Sequence, residues 1–105
     1  MHASWANNIK ADYANTGSAN IGTELVCTSL TSGGNGSATT TIPNAATNPH
    51  IKFYSNRRGY VRTRITPAQV TADFRGVSSV TEHGVAATTV KSFAILDGQP
   101  GLQAL

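Results

Sequence analysis

Alternation of apolar and polar side chains after Pro49 is the feature that most restricts how this chain can fold. Ile51 and Phe53 fall on one side of an extended segment, while Lys52 and Tyr54 fall on the other. A period of two residues is the signature of a β-strand with one buried face. The segment is therefore predicted to be a β-strand.

Further strands are predicted on both sides of this one. Residues 55–59 have the composition of a turn, and the next run alternates Tyr60, Arg62 and Arg64 with apolar or Thr side chains. The other β-prone runs are residues 22–30, 70–74 and 88–96. Because the turns after residue 50 are short, neighbouring strands are expected to be antiparallel and to form a meander.

The N-terminal segment has a different spacing. Trp5, Ile9 and Tyr13 recur every four positions, which fits one face of a helix, and Gly17 suits the end of such a helix. A short helix is predicted here. The fold class is accordingly α+β and predominantly β.

The chain of 105 residues has the length of one small domain, residues 1–105. Within it, residues 31–48 consist mostly of Ser, Thr, Gly, Asn and Ala, and they are predicted to form a long polar loop. One helix and one strand cover only part of the apolar faces of a meander. This shortage suggests a missing half or an oligomer.

Charge and cysteine content restrict the possible partners. The formal net charge is +3, and five of the eight basic residues lie between Lys52 and Arg64. Anionic partners fit this pattern, whereas so small a net charge argues against a dedicated nucleic-acid role. Cys27 is the single cysteine and is expected to be buried within an apolar strand. No uninterrupted apolar run is long enough to span a membrane.

A small set of residues is the candidate anion site. His50 stands at the entrance to a predicted strand, and Arg57 and Arg58 follow it in the turn. Guanidinium groups suit phosphate because their planar donors match two of its oxygens. His50, Arg57 and Arg58 are therefore predicted to bind phosphate or another anion, although adjacent arginines on a turn are also a common solvent-exposed feature.

Four ordered segments resemble the PhoD-type alkaline phosphatases. The segments are Met1-His2-Ala3-Ser4-Trp5-Ala6-Asn7, Thr23-Glu24-Leu25-Val26-Cys27-Thr28-Ser29 with the following Ser32-Gly33-Gly34, residues 48–62 with their Asn-Pro-His and Arg-Gly-Tyr-Val-Arg motifs, and residues 92–103 with their Gly-Gln-Pro-Gly-Leu tail. In this family a Gly-Asp pair precedes the histidine that His2 matches, and that pair is absent here. Leu25 and Cys27 stand where the family commonly has Phe and Gly.

The resemblance implies a function. PhoD-type enzymes are secreted or periplasmic phosphomonoesterases and phosphodiesterases that use iron and calcium, and their fold is a calcineurin-like sandwich. By this likeness His2 is a candidate catalytic and metal-binding residue, and phosphate esters are the expected substrates. Most of the family's metal ligands lie in earlier sequence, so this chain is expected to be the C-terminal part of such an enzyme and a poor catalyst by itself. The N-terminus has no export signal, which predicts a cytoplasmic chain as written.

A reading without catalysis stays open. Exposed strand edges and an uncovered sheet face favour pairing between copies of the chain. The alternative is therefore a self-associating homo-oligomer or an anion-binding module that lacks chemistry.

Overall fold

The computed structural model describes residues 2–105, and this part of the chain is entirely β. Seven strands form two antiparallel sheets. The strands are β1 (Ser4–Lys10), β2 (Asn20–Val26), β3 (Ile51–Ser55), β4 (Gly59–Ile65), β5 (Gln69–Gly76), β6 (Thr88–Leu96) and β7 (Gln99–Ala104). The predicted α+β class is wrong, because no helix occurs in the described residues. None of them, therefore, forms a helix that could cross a membrane.

The predicted N-terminal helix is the strand β1. A spacing of four residues fits one face of a helix, but it also fits one face of a strand, where any even separation returns to the same side. Ser4, Ala6 and Asn8 are the buried positions, whereas Trp5 and Ile9 lie on the half-buried face. The large apolar residues thus lie on the less buried side of a strand. Their spacing therefore led to the wrong prediction of a helix.

The predicted single meander is confirmed for only part of the chain. Strands β4 to β7 are consecutive neighbours in one sheet, but the other sheet has the order β2-β1-β3, with the first strand in the centre. The turn between β3 and β4 does not close a hairpin, because β3 pairs with β1 and β4 pairs with β5. This connection crosses from one sheet to the other.

The core lies between the two sheets. Phe53 and Ala6 come from the three-stranded sheet, and Phe74 and Phe93 come from the four-stranded sheet. The ring centre of Phe53 lies 4.8 Å from that of Phe74 and 6.3 Å from that of Phe93. Tilted and edge-on arrangements at these distances are the favoured geometries for aromatic pairs. Three phenylalanines therefore join the sheets into a sandwich.

Two other expectations need correction. β2 ends at Val26, so Cys27 lies beyond the strand and is exposed rather than buried.

The C-terminal tail also forms a strand of its own, β7. No alternation of apolar and polar side chains predicted it, because its sequence, Gln-Pro-Gly-Leu-Gln-Ala, contains Pro and Gly. Gly101 has a φ of 123°, and a side chain there would meet Asn20 Nδ2 at 2.9 Å. Glycine thus allows β7 to approach β2.

One ion pair ties three strands of the larger sheet together. Asp73 on β5 accepts hydrogen bonds from Arg62 Nη2 on β4 at 2.8 Å and from Ser92 Oγ on β6 at 2.6 Å. The Ser92 hydroxyl, and then Arg62, hold the pKa of the Asp73 carboxyl below its usual range. The side chain of Asp73 is 25% exposed, so solvent weakens these interactions.

Replacing Asp73 with Asn is expected to lower the free energy of unfolding at pH 7 by about 1 kcal/mol, because the charged acceptor is lost. Since folding lowers this pKa, the carboxylate contributes its full stability above the unfolded pKa of about 3.9 and loses it as the pH falls through the folded value. The difference between wild type and Asp73→Asn should therefore shrink below about pH 4. Urea denaturation at several pH values measures it.

Asp97→Asn is the matched control, since Asp97 lies exposed in the turn after β6. It should change stability by less than about 0.5 kcal/mol. A gap between wild type and Asp73→Asn that persists at acid pH would contradict the assignment.

An apolar groove remains open at one end of the sandwich. It has a volume of about 410 Å³ and is lined partly by Ile21, Pro67, Val70 and Ile95. Ile21 is 62% exposed, and the neighbouring Ile65, at the end of β4, is 75% exposed. Apolar side chains are thus left exposed at this end of the sandwich.

Candidate functional site

The Arg58 guanidinium is the buried cation of the candidate site. Arg58 is 7% exposed, and its partners are main-chain carbonyl groups. Nε donates to Ser32 O at 3.1 Å, Nη2 to Gly33 O at 2.7 Å, and Nη1 to Asn56 O at 2.7 Å and His2 O at 3.4 Å. One side chain therefore joins the N-terminal segment, the start of the long loop and the connection between the sheets.

The local backbone brings Arg58 to this position. It precedes Gly59 at the start of β4, and Val77 N–H donates to Arg58 O at 2.9 Å just after β5 ends. A Cβ at Gly59 would overlap Arg75 O, so only glycine allows this approach of β4 to β5. The connection between the sheets is thus fixed from both sides, and its arginine points into the structure.

Asn56 anchors the long loop against the same connection. Its Oδ1 accepts hydrogen bonds from Ser37 N at 2.9 Å and Ser37 Oγ at 3.3 Å. Gly36 has a φ of 66° and packs so closely on Asn56 O that a side chain would overlap it. The loop is also joined to the connection after β5, because Asn35 Oδ1 accepts a hydrogen bond from Val80 N–H at 2.9 Å. Part of the predicted polar loop is therefore held firmly beside Arg58.

These residues surround a cavity of about 300 Å³, here called the His2 cavity. It is lined by His2, Gly36, Tyr54, Asn56 and Arg58. The Tyr54 ring packs at an angle of 57° against Trp5, with 4.6 Å between ring centres, which orients the phenol. The cavity thus combines an exposed imidazole, a phenol and a carboxamide with the positive charge of a buried arginine.

The His2 cavity does not form a metal site by itself. Within residues 2–105, no three His, Cys, Asp or Glu side chains converge. His2 is the one imidazole that lines the cavity, and the Asn56 carboxamide oxygen already accepts from Ser37. A metal centre needs several converging ligands, so any metal at this position would require ligands from other polypeptide.

The predicted anion-binding residues do not come together. Arg58 lines the His2 cavity, whereas His50 lies at the other end of β3, in a separate cleft with Lys10 and Lys52. Arg57 lines neither of these two openings, and its side chain packs near Gly76 on β5. Anion binding by each of these residues stays a prediction.

Asn56 and Lys10 belong to these surroundings but were not singled out from the sequence. Asn56 stands within the Ser-Asn-Arg-Arg turn, so its polar character beside two arginines was the available signal. Nothing in the sequence predicted that Lys10 lies near His50. Their proximity depends on the pairing of β1 with β3, and a helix had been predicted in place of β1.

Comparison with known proteins assigns the family. The model of the PhoD-like phosphatase family matches residues 1–74. Alkaline phosphatase D of Bacillus subtilis (strain 168) is 46% identical to this chain in an alignment of 105 positions that covers 98% of the chain. The chain belongs to the PhoD-like phosphatase family. The resemblance found in the sequence motifs is thereby confirmed, and it places the chain in a family of phosphoesterases.

A solved structure of PhoD supports the same relationship. It matches 99% of this chain with a TM-score of 0.88 and 44% sequence identity. The chain spans only about a fifth of the length of these relatives, namely 18% of the B. subtilis protein and 20% of the solved PhoD chain. The all-β sandwich described above therefore corresponds to a small part of a larger PhoD-like protein.

Replacing Arg58 with Ala is expected to lower the free energy of unfolding by roughly 2–4 kcal/mol, because carbonyl groups lose charged donors within a buried space. Arg58→Lys should recover little of this loss, since one ammonium cannot reach carbonyls spread around a planar guanidinium. Urea denaturation measures both variants.

Arg57→Ala provides the adjacent control, with an expected change of less than about 1 kcal/mol. Equal losses for Arg57→Ala and Arg58→Ala would show that Arg58 does not have the organising role described.

Proposed function

We propose that this chain is the C-terminal part of a metal-dependent phosphoesterase of the PhoD type, acting on phosphate esters. The observation that carries the proposal is the contact between Arg58 and His2 O beside the His2 cavity. That contact joins the main chain of His2 to Arg58, next to an open polar space. The imidazole is then available to a metal or to the phosphoryl group.

Arg58 acts in this proposal mainly as a positioning residue. Its N–H groups are directed at carbonyl oxygens, so its hydrogen bonds organise the walls of the cavity. Within residues 2–105, the Arg58 guanidinium donates hydrogen bonds to carbonyl groups and to no carboxylate. Its positive charge is therefore not neutralised by a hydrogen-bonded partner, and the resulting potential favours an anion in the adjoining cavity. Tyr54 and Asn56 would contribute polar contacts from the same walls.

Calcium and iron are the metals that the family suggests. The described residues alone do not fit a closed metal centre, so we propose that the other ligands belong to polypeptide beyond this fifth of a PhoD-like protein. The isolated chain would then lack the groups that polarise a phosphoryl oxygen and activate a nucleophile.

The isolated chain is expected to hydrolyse a chromogenic phosphate monoester no faster than a buffer blank containing the same calcium and iron. A chimera tests its contribution: the matching segment of B. subtilis alkaline phosphatase D is replaced by these 105 residues. The chimera should be active, and His2→Ala within it should lower kcat/KM by roughly 100-fold or more.

His83→Ala is the control, because His83 is exposed in the connection between β5 and β6 and lines neither the His2 cavity nor the cleft at His50. Its activity should match that of the parent chimera. Full activity of the His2→Ala chimera, or metal-dependent turnover by the purified isolated chain, would disprove the proposal.

Self-association is a second candidate, favoured by the apolar groove and by Ile65. We propose that a second copy of the chain covers this end of the sandwich. Burying exposed isoleucines in this way gives roughly 25 cal/mol for each Å² of apolar surface.

Sedimentation velocity should accordingly detect a homo-oligomer that Ile65→Asp dissociates, because a carboxylate would be costly to bury there. Ile65→Val is the control and should retain the oligomer. A well-folded wild-type monomer at high concentration would exclude this candidate.

A further inference from the structure

A second polar cleft lies at the opposite end of the three-stranded sheet from the His2 cavity. It has a volume of about 150 Å³ and is here called the His50 cleft. Among its lining residues are Asn8, Lys10, Tyr13, His50 and Lys52. They come from the end of β1, the turn after it, and the start of β3.

The charge of the His50 cleft is positive. Lys10 and Lys52 bring two ammonium groups, His50 adds an imidazole, and no carboxylate lines the space. Lys10 Nζ donates to Ser18 O, which holds this side chain at the cleft. The nearest acidic residue in sequence, Asp12, does not line the cleft, and its carboxylate accepts a hydrogen bond from the main chain of its own turn. Such a set of donors favours an anion.

Asn8 supplies an independent observation. It is 6% exposed, and its Oδ1 accepts a hydrogen bond from Leu102 N–H at 2.9 Å. This contact fixes the orientation of the carboxamide, so that Nδ2 is its remaining polar atom. The hydrogen bonds of residues 2–105 include none from Asn8 Nδ2. Asn8 lines the cleft, so the N–H groups of its carboxamide are available to donate to an oxygen atom bound there.

The walls of the cleft are also held in place. Asn8 N–H donates to His50 O at 2.8 Å, which joins β1 to the residue before β3. The Tyr13 ring meets the His50 ring edge-on, with 4.8 Å between their centres. A site whose groups are fixed before binding loses less entropy when a ligand arrives.

We propose that the His50 cleft binds a phosphoryl group, with Lys10, Lys52 and His50 facing its oxygens and Asn8 Nδ2 donating to one of them. The size and donor chemistry suit a tetrahedral dianion. The cleft is distinct from the His2 cavity, because β1 has seven residues and thus separates the two sites by about 20 Å. This binding site does not depend on the phosphoesterase function proposed above.

The test uses the isolated chain at pH 7 and constant ionic strength, with amide chemical shifts followed by NMR. Orthophosphate and ethyl phosphate are titrated separately. Saturable shifts are expected at Lys10, Tyr13 and His50. Lys10→Gln and Lys52→Gln should each weaken binding by about tenfold, since each removes a charge-assisted hydrogen bond.

Lys91→Gln is the matched control, because Lys91 carries the same charge but lies over the Phe93 ring. It should bind phosphate like wild type. Asn8→Asp keeps the acceptor for Leu102 and replaces the free donor with a negative charge, so it should abolish binding while thermal unfolding reports an intact fold. Binding of both ligands would identify a terminal phosphoryl group as the ligand, and binding of orthophosphate alone would identify the free anion.

The proposal is overturned if neither ligand gives saturable shifts, or if Lys91→Gln weakens binding as much as Lys10→Gln does. The outcome is independent of the chimera experiment, because His2→Ala should leave phosphate binding at the His50 cleft unchanged. An inactive chimera with an intact His50 cleft would remove the proposed function alone.

Discussion

A buried guanidinium surrounded by carbonyl oxygens is the interaction on which this structure depends. Arg58 occupies the point where the chain leaves one sheet for the other, and it contacts the main chain of three segments that are distant in sequence. Burying a charge is costly unless its donors are satisfied, and here backbone dipoles replace the carboxylate that arginine usually meets. The positions of the long loop and the His2 segment therefore follow from one side chain.

The three-stranded sheet has a polar opening at each end. β1 and β3 are antiparallel, so the start of β1 and the end of β3 meet at the His2 cavity, while their opposite ends meet at the His50 cleft. Both openings contain a histidine and at least one cation. The strands between them supply Ala6 and Phe53 to the core, which gives both openings a common rigid support.

The sequence predicted strands where side-chain alternation was strong, and the limits of β6 agree with the structure. It failed where a pattern had two meanings, as for Trp5 and Ile9, and where Pro and Gly concealed the strand β7. The sites were harder to predict because they depend on strand pairing. Arg58 was recognised by its residue type, and His2 through the resemblance to PhoD-like enzymes. Their proximity arises because the chain crosses from one sheet to the other between β3 and β4, where the sequence predicts only a short turn. The proximity of Lys10 to His50 was not predicted, because it depends on the pairing of β1 with β3.

The central position of β1 has a consequence for the order in which the molecule folds. The strands β4 to β7 are neighbours in sequence, so they associate after closing short loops. Pairing of β1 with β3 instead closes a loop of about forty residues, and the entropy of closure rises with that length. Slow folding follows from such nonlocal contacts. Formation of both polar openings therefore depends on this nonlocal pairing, because each opening lies where an end of β1 meets an end of β3.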